Sequence, residues 1–323
     1  MKKPFLRQVG LAALLVISAT LCAAQTLPQT VRIYVGSSPG GTLDVLARLV
    51  GDRLGKQLNT TFVVENVPGA GGAIAQGKVA GSPPDGSTIL MSSNNDVLVD
   101  AMAGTQKVQQ TLSAVGGIAA VPFVLVGRPN LQAATTDDLV RLGREPGANL
   151  TVGGAGAGTY AHLAVKVVRR AAGVQMTYAP YKGGSQALAD LLGGHIDLAM
   201  VGLTTVMQQL KAGSLRAYGL FSAKRSPLAA EVPTLLESTS LKSMKPFSDA
   251  WIGLMVPAKT SPEIQRIFST ALSKVVAAED VQQSIRQAGA VPAPVSAEEM
   301  QRVVRSDTAA FTAIVKAANI KPE

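Results

Sequence analysis

The chain is short of the residues on which most catalytic and metal-dependent chemistry relies. It has one cysteine and two histidines in 323 residues. The cysteine, Cys22, belongs to an N-terminal leader, so a chain starting at Gln25 has none. Disulfides, thiol nucleophiles and cysteine metal sites are excluded together. His162 and His195 are far apart and in no ligand spacing, so no metal site is expected. Aromatic residues make up 4%, too few for the stacking platforms of single-strand nucleic-acid binders. Adjacent basic residues occur as Lys2-Lys3, Arg169-Arg170 and Lys224-Arg225 alone. Scattered charge of this kind favours anionic small molecules or solubility over a phosphate backbone, and no nucleic-acid partner is expected. Cofactor fingerprints are missing too. No G-x-x-x-x-G-K-[ST] occurs. Gly154-Ala155-Gly156-Ala157-Gly158 lacks the sixth-position glycine and the later acid of a dinucleotide site.

What is present begins with the leader. Met1-Lys2-Lys3 and Arg7 make a basic start, and Val9 to Leu21 an apolar core too short and wrongly flanked for a membrane span. Small residues at Cys22-Ala23-Ala24 place the end of a signal peptide over residues 1–24, with cleavage after Ala24 and export to the periplasm. The alternative, a lipoprotein acylated at Cys22, meets the bulky Leu21 where a small residue is expected. Of the formal charge of +9, three units come from Lys2, Lys3 and Arg7, which leaves +6 for the exported chain.

The rest of the chain is organised around Val35 to Asp44, V-G-S-S-P-G-G-T-L-D. Val31 to Val35 reads as a strand, and Leu43, Leu46, Val50, Leu54 and Leu58 mark one face of a helix. Gly40 and Gly41 allow close backbone approach to a ligand. A helix starting near Thr42 directs its free N–H groups and positive dipole end into the loop, as a carboxylate or phosphate site requires. A plain strand-to-helix turn accounts for the same residues. A second unit of this kind follows: Leu150-Thr151-Val152, the glycine run Gly153 to Gly158 with Thr159, then a helix carrying Leu163, Val167 and Val168 inward to Gly173. Two such loops, one per half, point to one site built between them.

Some 300 residues after the leader are more than one core usually serves, so two domains are expected. Strands at Thr61–Val64, Thr88–Met91, Met176–Tyr178, Ile196–Val201, Leu215–Phe221 and Trp251–Val256 alternate with helical stretches, an α/β pattern with a mainly parallel sheet. Val121 to Val126 reads as a strand crossing to the second domain, and the return lies near Asp249. Lobe one is therefore 25–124 with 249–323, and lobe two 125–248. Helices over Pro262–Ala277, on to Ala288, and over Ala297–Ala318 complete the chain.

Individual residues carry rival readings. Gly36-Ser37-Ser38-Pro39-Gly40 matches G-x-S-x-G, but the residue after Ser38 is proline, which has no N–H for an oxyanion hole. Ser38 is thus read as a hydrogen-bonder to ligand and not a nucleophile. Ser92, Ser93, Asn94 and Asn95 lie just past a strand end, where open α/β sheets bind ligands. His162 either bonds the glycine loop or is structural. Asp44 is most simply a loop- or dipole-stabilising carboxylate. Lys182 is a solvated lysine or a ligand contact, and Asp197, inside an apolar strand, is expected to be buried with a partner.

Taken together, several of these pieces resemble a known family. Pro39-Gly40-Gly41-x-x-Asp44, Ala47-Arg48, Val64-Glu65-Asn66-x-Pro68-Gly69-Ala70-Gly71-Gly72 and Pro84-Asp85-Gly86 occur in order. Gly156-x-Gly158-Thr159-x-x-His162-Leu163-Ala164, Pro180-Tyr181-Lys182-Gly183 and Val232-Pro233-Thr234 follow. The set is similar to the Bug/TctC solute receptors of tripartite tricarboxylate transporters. The resemblance implies a type II periplasmic binding protein of the Venus-flytrap kind, each lobe a mixed sheet flanked by helices. It implies a monomer without cofactor or catalytic residue that captures a small carboxylate and delivers it to membrane permease subunits. A sensor for a membrane kinase and a serine hydrolase using Ser38 are the alternatives. Carried over residue by residue, amides of Ser38 to Thr42 and Ala157 to Thr159 hold the carboxylate. The candidate ligand-binding set is Ser37, Ser38, Pro39, Gly40, Gly41, Thr42, Asp44, Ser92, Asn94, Ala157, Gly158, Thr159, His162, Lys182 and Asp197. The chain departs from the family at Ser37, where an aromatic is usual, at Gly154 in place of serine, and over Gln106 to Val115.

Overall fold

The computed structural model describes residues 27–244 and 249–317. The signal peptide, the Ala24 cleavage site, Cys22 and Ala318 lie outside the described residues.

Two mixed sheets organise the chain. The first contains β1 (Thr30–Val35), β2 (Thr61–Asn66), β3 (Thr88–Ser93), β4 (Leu112–Val121), β10 (Ala250–Pro257) and β11 (Val291–Val295), in the order β11-β4-β10-β3-β1-β2. The second contains β5 (Phe123–Gly127), β6 (Leu150–Ala155), β7 (Met176–Tyr181), β8 (Leu198–Gly202) and β9 (Arg216–Leu220), in the order β7-β6-β8-β5-β9. The described helices are α1 (Thr42–Leu58), α2 (Ala73–Ala80), α3 (Asn94–Met102), α4 (Lys107–Thr111), α5 (Thr136–Gly143), α6 (Tyr160–Ala172), α7 (Gly184–Leu192), α8 (Leu203–Lys211), α9 (Pro262–Ala277), α10 (Glu279–Gln287) and α11 (Ala297–Ala317).

The strand–helix alternation predicts mainly parallel sheets, and the structure corrects this. β1 pairs β2 and β3 in parallel, and β6 pairs β7 and β8 in parallel. The strands near the crossings, β4, β5 and β10, pair antiparallel to their neighbours. The expected crossing strand over Val121–Val126 is two strands. β4 ends at Val121, β5 begins at Phe123, and Pro122 stands between them. Proline has no N–H to continue a ladder, so the chain leaves one sheet and enters the other there.

Period-two alternation in the strands divides the core. Val31, Ile33 and Val35 of β1, with Ile89 and Met91 of β3, face the apolar stripe of α1 and the Ile264–Phe268 face of α9. Tyr34 and Leu90 point the other way, towards α2, α3 and α11. In the second sheet, Val152, Leu198 and Met200 pack on α6, whereas Ala199 and Val201 pack on α7 and α8. One apolar cluster runs through both sheets, joining Val121 and Ile252 to Tyr160 and Phe221. The rings of Phe123 and Tyr160 lie 4.6 Å apart at this junction.

Candidate functional site

Five strands running towards the cleft between the sheets end in helix starts: β1 leads to α1, β3 to α3, β6 to α6, β7 to α7 and β8 to α8. The residues capping these helices are Gly41, Ser93, Thr159, Gly183 and Gly202. All five line one of two adjoining cavities in the cleft. Ser93 alone of the five caps its helix with a side-chain hydrogen bond. Each helix contributes roughly half a positive charge at its start, stabilising a nearby anion by about 0.3–1 kcal/mol, and by up to ~2 kcal/mol when partly buried.

The larger cavity holds about 270 Å³. Its walls are Gly36, Ser37 and Leu43 after β1, the Gly69–Gly72 turn, Ser93, Asn95 and Asp96 at α3, and Ala155, Gly156, Thr159, Tyr181 and Lys182 from the second sheet. The smaller, about 90 Å³, is lined by Ser37, Gly41, Thr42, Asn94, Phe123, Gly183, Met200, Gly202 and Thr205, among others. Both take walls from both sheets and share Ser37, Leu43, Ser93, Asn95 and Ala155. Ser37 Oγ and both amide atoms of Asn94 are buried without a hydrogen-bond partner among the described residues. Asn94 is 1% exposed. Buried polar groups are ordinarily paired, so these atoms mark where a ligand's polar groups would go.

The lobes meet around this space. Tyr160 N–H, at the start of α6, donates to Asn95 Oδ1 at 2.6 Å. The hydroxyls of Thr42 and Thr204 bond each other across the cleft. A Cβ on Gly71 would meet Thr159 Cγ2 at 3.6 Å, an ordinary van der Waals contact.

Of the sequence-predicted residues, Ser37, Gly41, Thr42, Asn94, Thr159 and Lys182 line the cavities. Lys182 is exposed and sits on the rim. The others lie outside the cavity linings. Pro39 and Gly40 are exposed in their loop, and a Cβ on Gly40 would lie 3.8 Å from Ser185 Oγ of α7. Asp44 sits beneath that loop: it accepts from Gly40 N–H at 2.9 Å, from Arg48 at 2.8 Å and from Asn66 at 3.0 Å. Burial alone would raise its pKa, but these hydrogen bonds outweigh that and hold it below the usual carboxylate value. Ser38 accepts Gly41 N–H through its carbonyl. Ser92 is fully buried, with its hydroxyl on Asp96 at 2.7 Å.

The second glycine loop is held from within. Gly158, at φ +79°, donates its N–H to His162 Nδ1 at 3.0 Å, and the imidazole stacks on Tyr178 at 4.5 Å. Thr159 N–H is used by Gly156 O at 3.3 Å. Of the amides expected to hold a carboxylate, Ser38 to Thr42 and Ala157 to Thr159, those of Gly40, Gly41, Gly158 and Thr159 each have a protein acceptor in this structure. Ala157 lies outside the cavity linings as well. Asp197 has partners, as expected, but not in the cavities. It precedes β8, at the end of the sheet away from the cleft, and bonds Arg128 at 2.9 Å and Thr151 N–H at 3.0 Å.

Sequence reasoning missed Asp96 and Thr205 and named Asn95 and Tyr181 only within longer motifs, although all four line the cavities. Ser93-x-x-Asp96 is a capping-box spacing that signals the start of α3. Desolvation pushes the Asp96 carboxyl up to about 6, against the pull of hydrogen bonds from Ser93 N–H and Ser92 Oγ; Asp100 adds to the rise. Among the described residues no group of three His, Cys, Asp or Glu is placed to hold a metal ion. No described helix is long and apolar enough to cross a membrane.

Residues 46–320 match the family described as the tripartite tricarboxylate transporter family receptor, TctC. A protein from the TAR-I ttuE-ttuC' intergenic region of Agrobacterium vitis is 34% identical over 265 residues, 81% of this chain and 75% of that protein. Protein BugT of Bordetella pertussis is 27% identical over 304 residues, 93% of this chain and 92% of that one. Among solved structures, R. palustris Rpa4515 with adipate superposes with a TM-score of 0.85 at 28% identity, covering 92% of this chain and 99% of that chain. The periplasmic binding protein BugD does so with a TM-score of 0.82 at 27% identity, covering 91% and 99%. With its two mixed sheets and a cleft between them, the chain belongs to the TctC family of tripartite tricarboxylate transporter receptors, whose members are periplasmic solute-binding proteins.

Proposed function

We propose that this chain is exported by cleavage after Ala24 and works in the periplasm as a monomeric receptor. It closes its lobes over a small carboxylate and hands it to the permease subunits of a tripartite tricarboxylate transporter. The hinges are at Pro122 and Asp249. The observation that carries the reading is the convergence of five helix starts on one cleft that also holds the unpartnered Ser37 and Asn94. An anion placed there is stabilised by dipoles and by donors with no competing protein acceptor. Adipate in the related Rpa4515 supports a carboxylate as the class. A catalytic serine is disfavoured. Ser38 lies outside the cavity linings, and Pro39 supplies no N–H.

A thermal-shift screen of mono- and dicarboxylates, followed by calorimetry, tests the reading. At 100 times its dissociation constant a ligand of the folded state stabilises by about 2.7 kcal/mol, so a binder is visible as a raised melting temperature. Indifference to every carboxylate would refute it, as would serine-dependent turnover of esters. Uptake of the labelled binder by cells with and without the chain separates delivery from signalling.

A further inference from the structure

The two cavities differ in charge. The smaller is lined by no ionisable residue, yet three helix caps, Gly41, Gly183 and Gly202, border it and not the larger one. An anion is therefore best held in the smaller. The larger contains a buried acid, Asp96, and its one cation, Lys182, is an exposed rim residue.

Asp96 is 5% exposed. Its Oδ2 accepts from Ser93 N–H at 3.0 Å and from Ser92 Oγ at 2.7 Å, closing the cap of α3. Its Oδ1 accepts from none of the described residues. Gly72, at φ +108°, passes beside that oxygen, and a Cβ there would come within 3.0 Å of it. Glycine at this point leaves the oxygen uncovered on the cavity side. No described cation bonds Asp96. Asp100 on its own helix is a like charge and is itself occupied by Val108 N–H and Thr105. The buried residues of α2, Ala75, Gln76 and Val79, are uncharged. On α11, Asp307 accepts from Trp251 Nε1. The group is buried without a counter-charge, and its Oδ1, open to the cavity, can take a donor from water or from a ligand.

Resting on the carboxylate-receptor reading above, we infer that Asp96 is a specificity-determining residue: it receives a hydroxyl or ammonium at the far end of the bound carboxylate, so that this chain takes hydroxy- or aminocarboxylates in preference to plain diacids. A second carboxylate in the larger cavity would face Asp96 as a like charge at neutral pH. A donor there would complete the hydrogen bonding of Oδ1 and, if cationic, offset its charge. The two ligand types therefore respond to pH with opposite sign. Asp96 is ionised above about pH 6 and protonated below it. Ammonium binding weakens, and diacid binding strengthens, as pH falls through that value.

The test is calorimetry with two length-matched sets: glutarate, 4-aminobutanoate and 4-hydroxybutanoate, and adipate, 5-aminopentanoate and 5-hydroxypentanoate. At pH 8 the amino or hydroxy acid of at least one set should bind roughly tenfold or more tighter than its diacid, the scale of one charge-assisted hydrogen bond. Asp96→Asn keeps an acceptor for Ser93 N–H while removing the charge. It should weaken the amino acid about tenfold and strengthen the diacid. A merely structural Asp96 would move both affinities the same way. If the variant does not fold by circular dichroism, the pH series from 8 to 5 on the unaltered chain decides, since the ratio of the two affinities must then shift towards the diacid. A diacid that binds as tightly as its partners at pH 8, with a ratio unmoved by pH or by Asp96→Asn, overturns the inference and leaves the receptor reading standing. Binding by no member of either set, nor by any other carboxylate, removes both.

Discussion

A buried N–H that loses its acceptor costs about 1–3 kcal/mol, and that figure sets the expectation for His162. Its Nδ1 accepts the Gly158 N–H, so this nitrogen carries no proton, and its ring lies on Tyr178. His162→Phe keeps a ring for the stack and removes the acceptor. Urea denaturation should show a loss within that range. A variant as stable as the parent would mean that Gly158 N–H finds another partner and that the histidine does not hold the loop. The glycine-loop motif was legible in the sequence, but which of its amides remain available was not. That depends on Asp44 and His162 folding back on their own loops, and a residue type does not reveal whether it faces the ligand or the loop behind it. Asp197 misled for a related reason. An acid in an apolar run is legible as partnered, but which end of the strand points into the cleft depends on strand direction.

At the level of elements, the helices that follow glycine loops stood out because apolar spacing and punctuation agree. α3, α8, β4 and β11 did not stand out. β11 contains Pro292 and Pro294, which lower any strand propensity, and it is tolerated because it pairs β4 at the edge of the first sheet. β4 is rich in Gly and Ala, with Gly116 and Gly117 packed against β11 so tightly that a Cβ at either would fall 2.9 Å from Val295. Small residues chosen for close approach leave no alternation to read. The same tightness occurs between the loop after β1 and the turn before α2. A Cβ on Gly36 would lie 2.8 Å from Gly72 Cα, a backbone atom that cannot swing aside. Gly36→Ala should push these two cavity walls apart. We expect about 1–3 kcal/mol of lost stability from overpacking together with weaker carboxylate binding, read by denaturation and calorimetry on the same preparation. Unchanged binding would mean that the two loops move independently of the cavity.

For the whole molecule, two hydrogen bonds among the described residues bridge the cleft between the sheets. Asn95 on α3 accepts the first N–H of α6, and Thr42 meets Thr204. Asn95→Ala deletes the first bridge, leaving α6 with an uncapped start. The ligand-free chain should then populate an open form more, with a larger radius of gyration by small-angle scattering. Apparent affinity should fall by the fraction of closed molecules lost; a scattering curve and affinity identical to the parent's would contradict this. The five helix starts around the cleft have a consequence for lineage. Their positive ends are made of peptide groups, which every substitution except one to proline leaves in place. Ser37, Asn94, Asp96 and Lys182 are side chains, each exchangeable without redrawing the backbone. Gene copies descended from such a chain keep the means of holding a negative charge while a handful of substitutions changes which nutrient they collect.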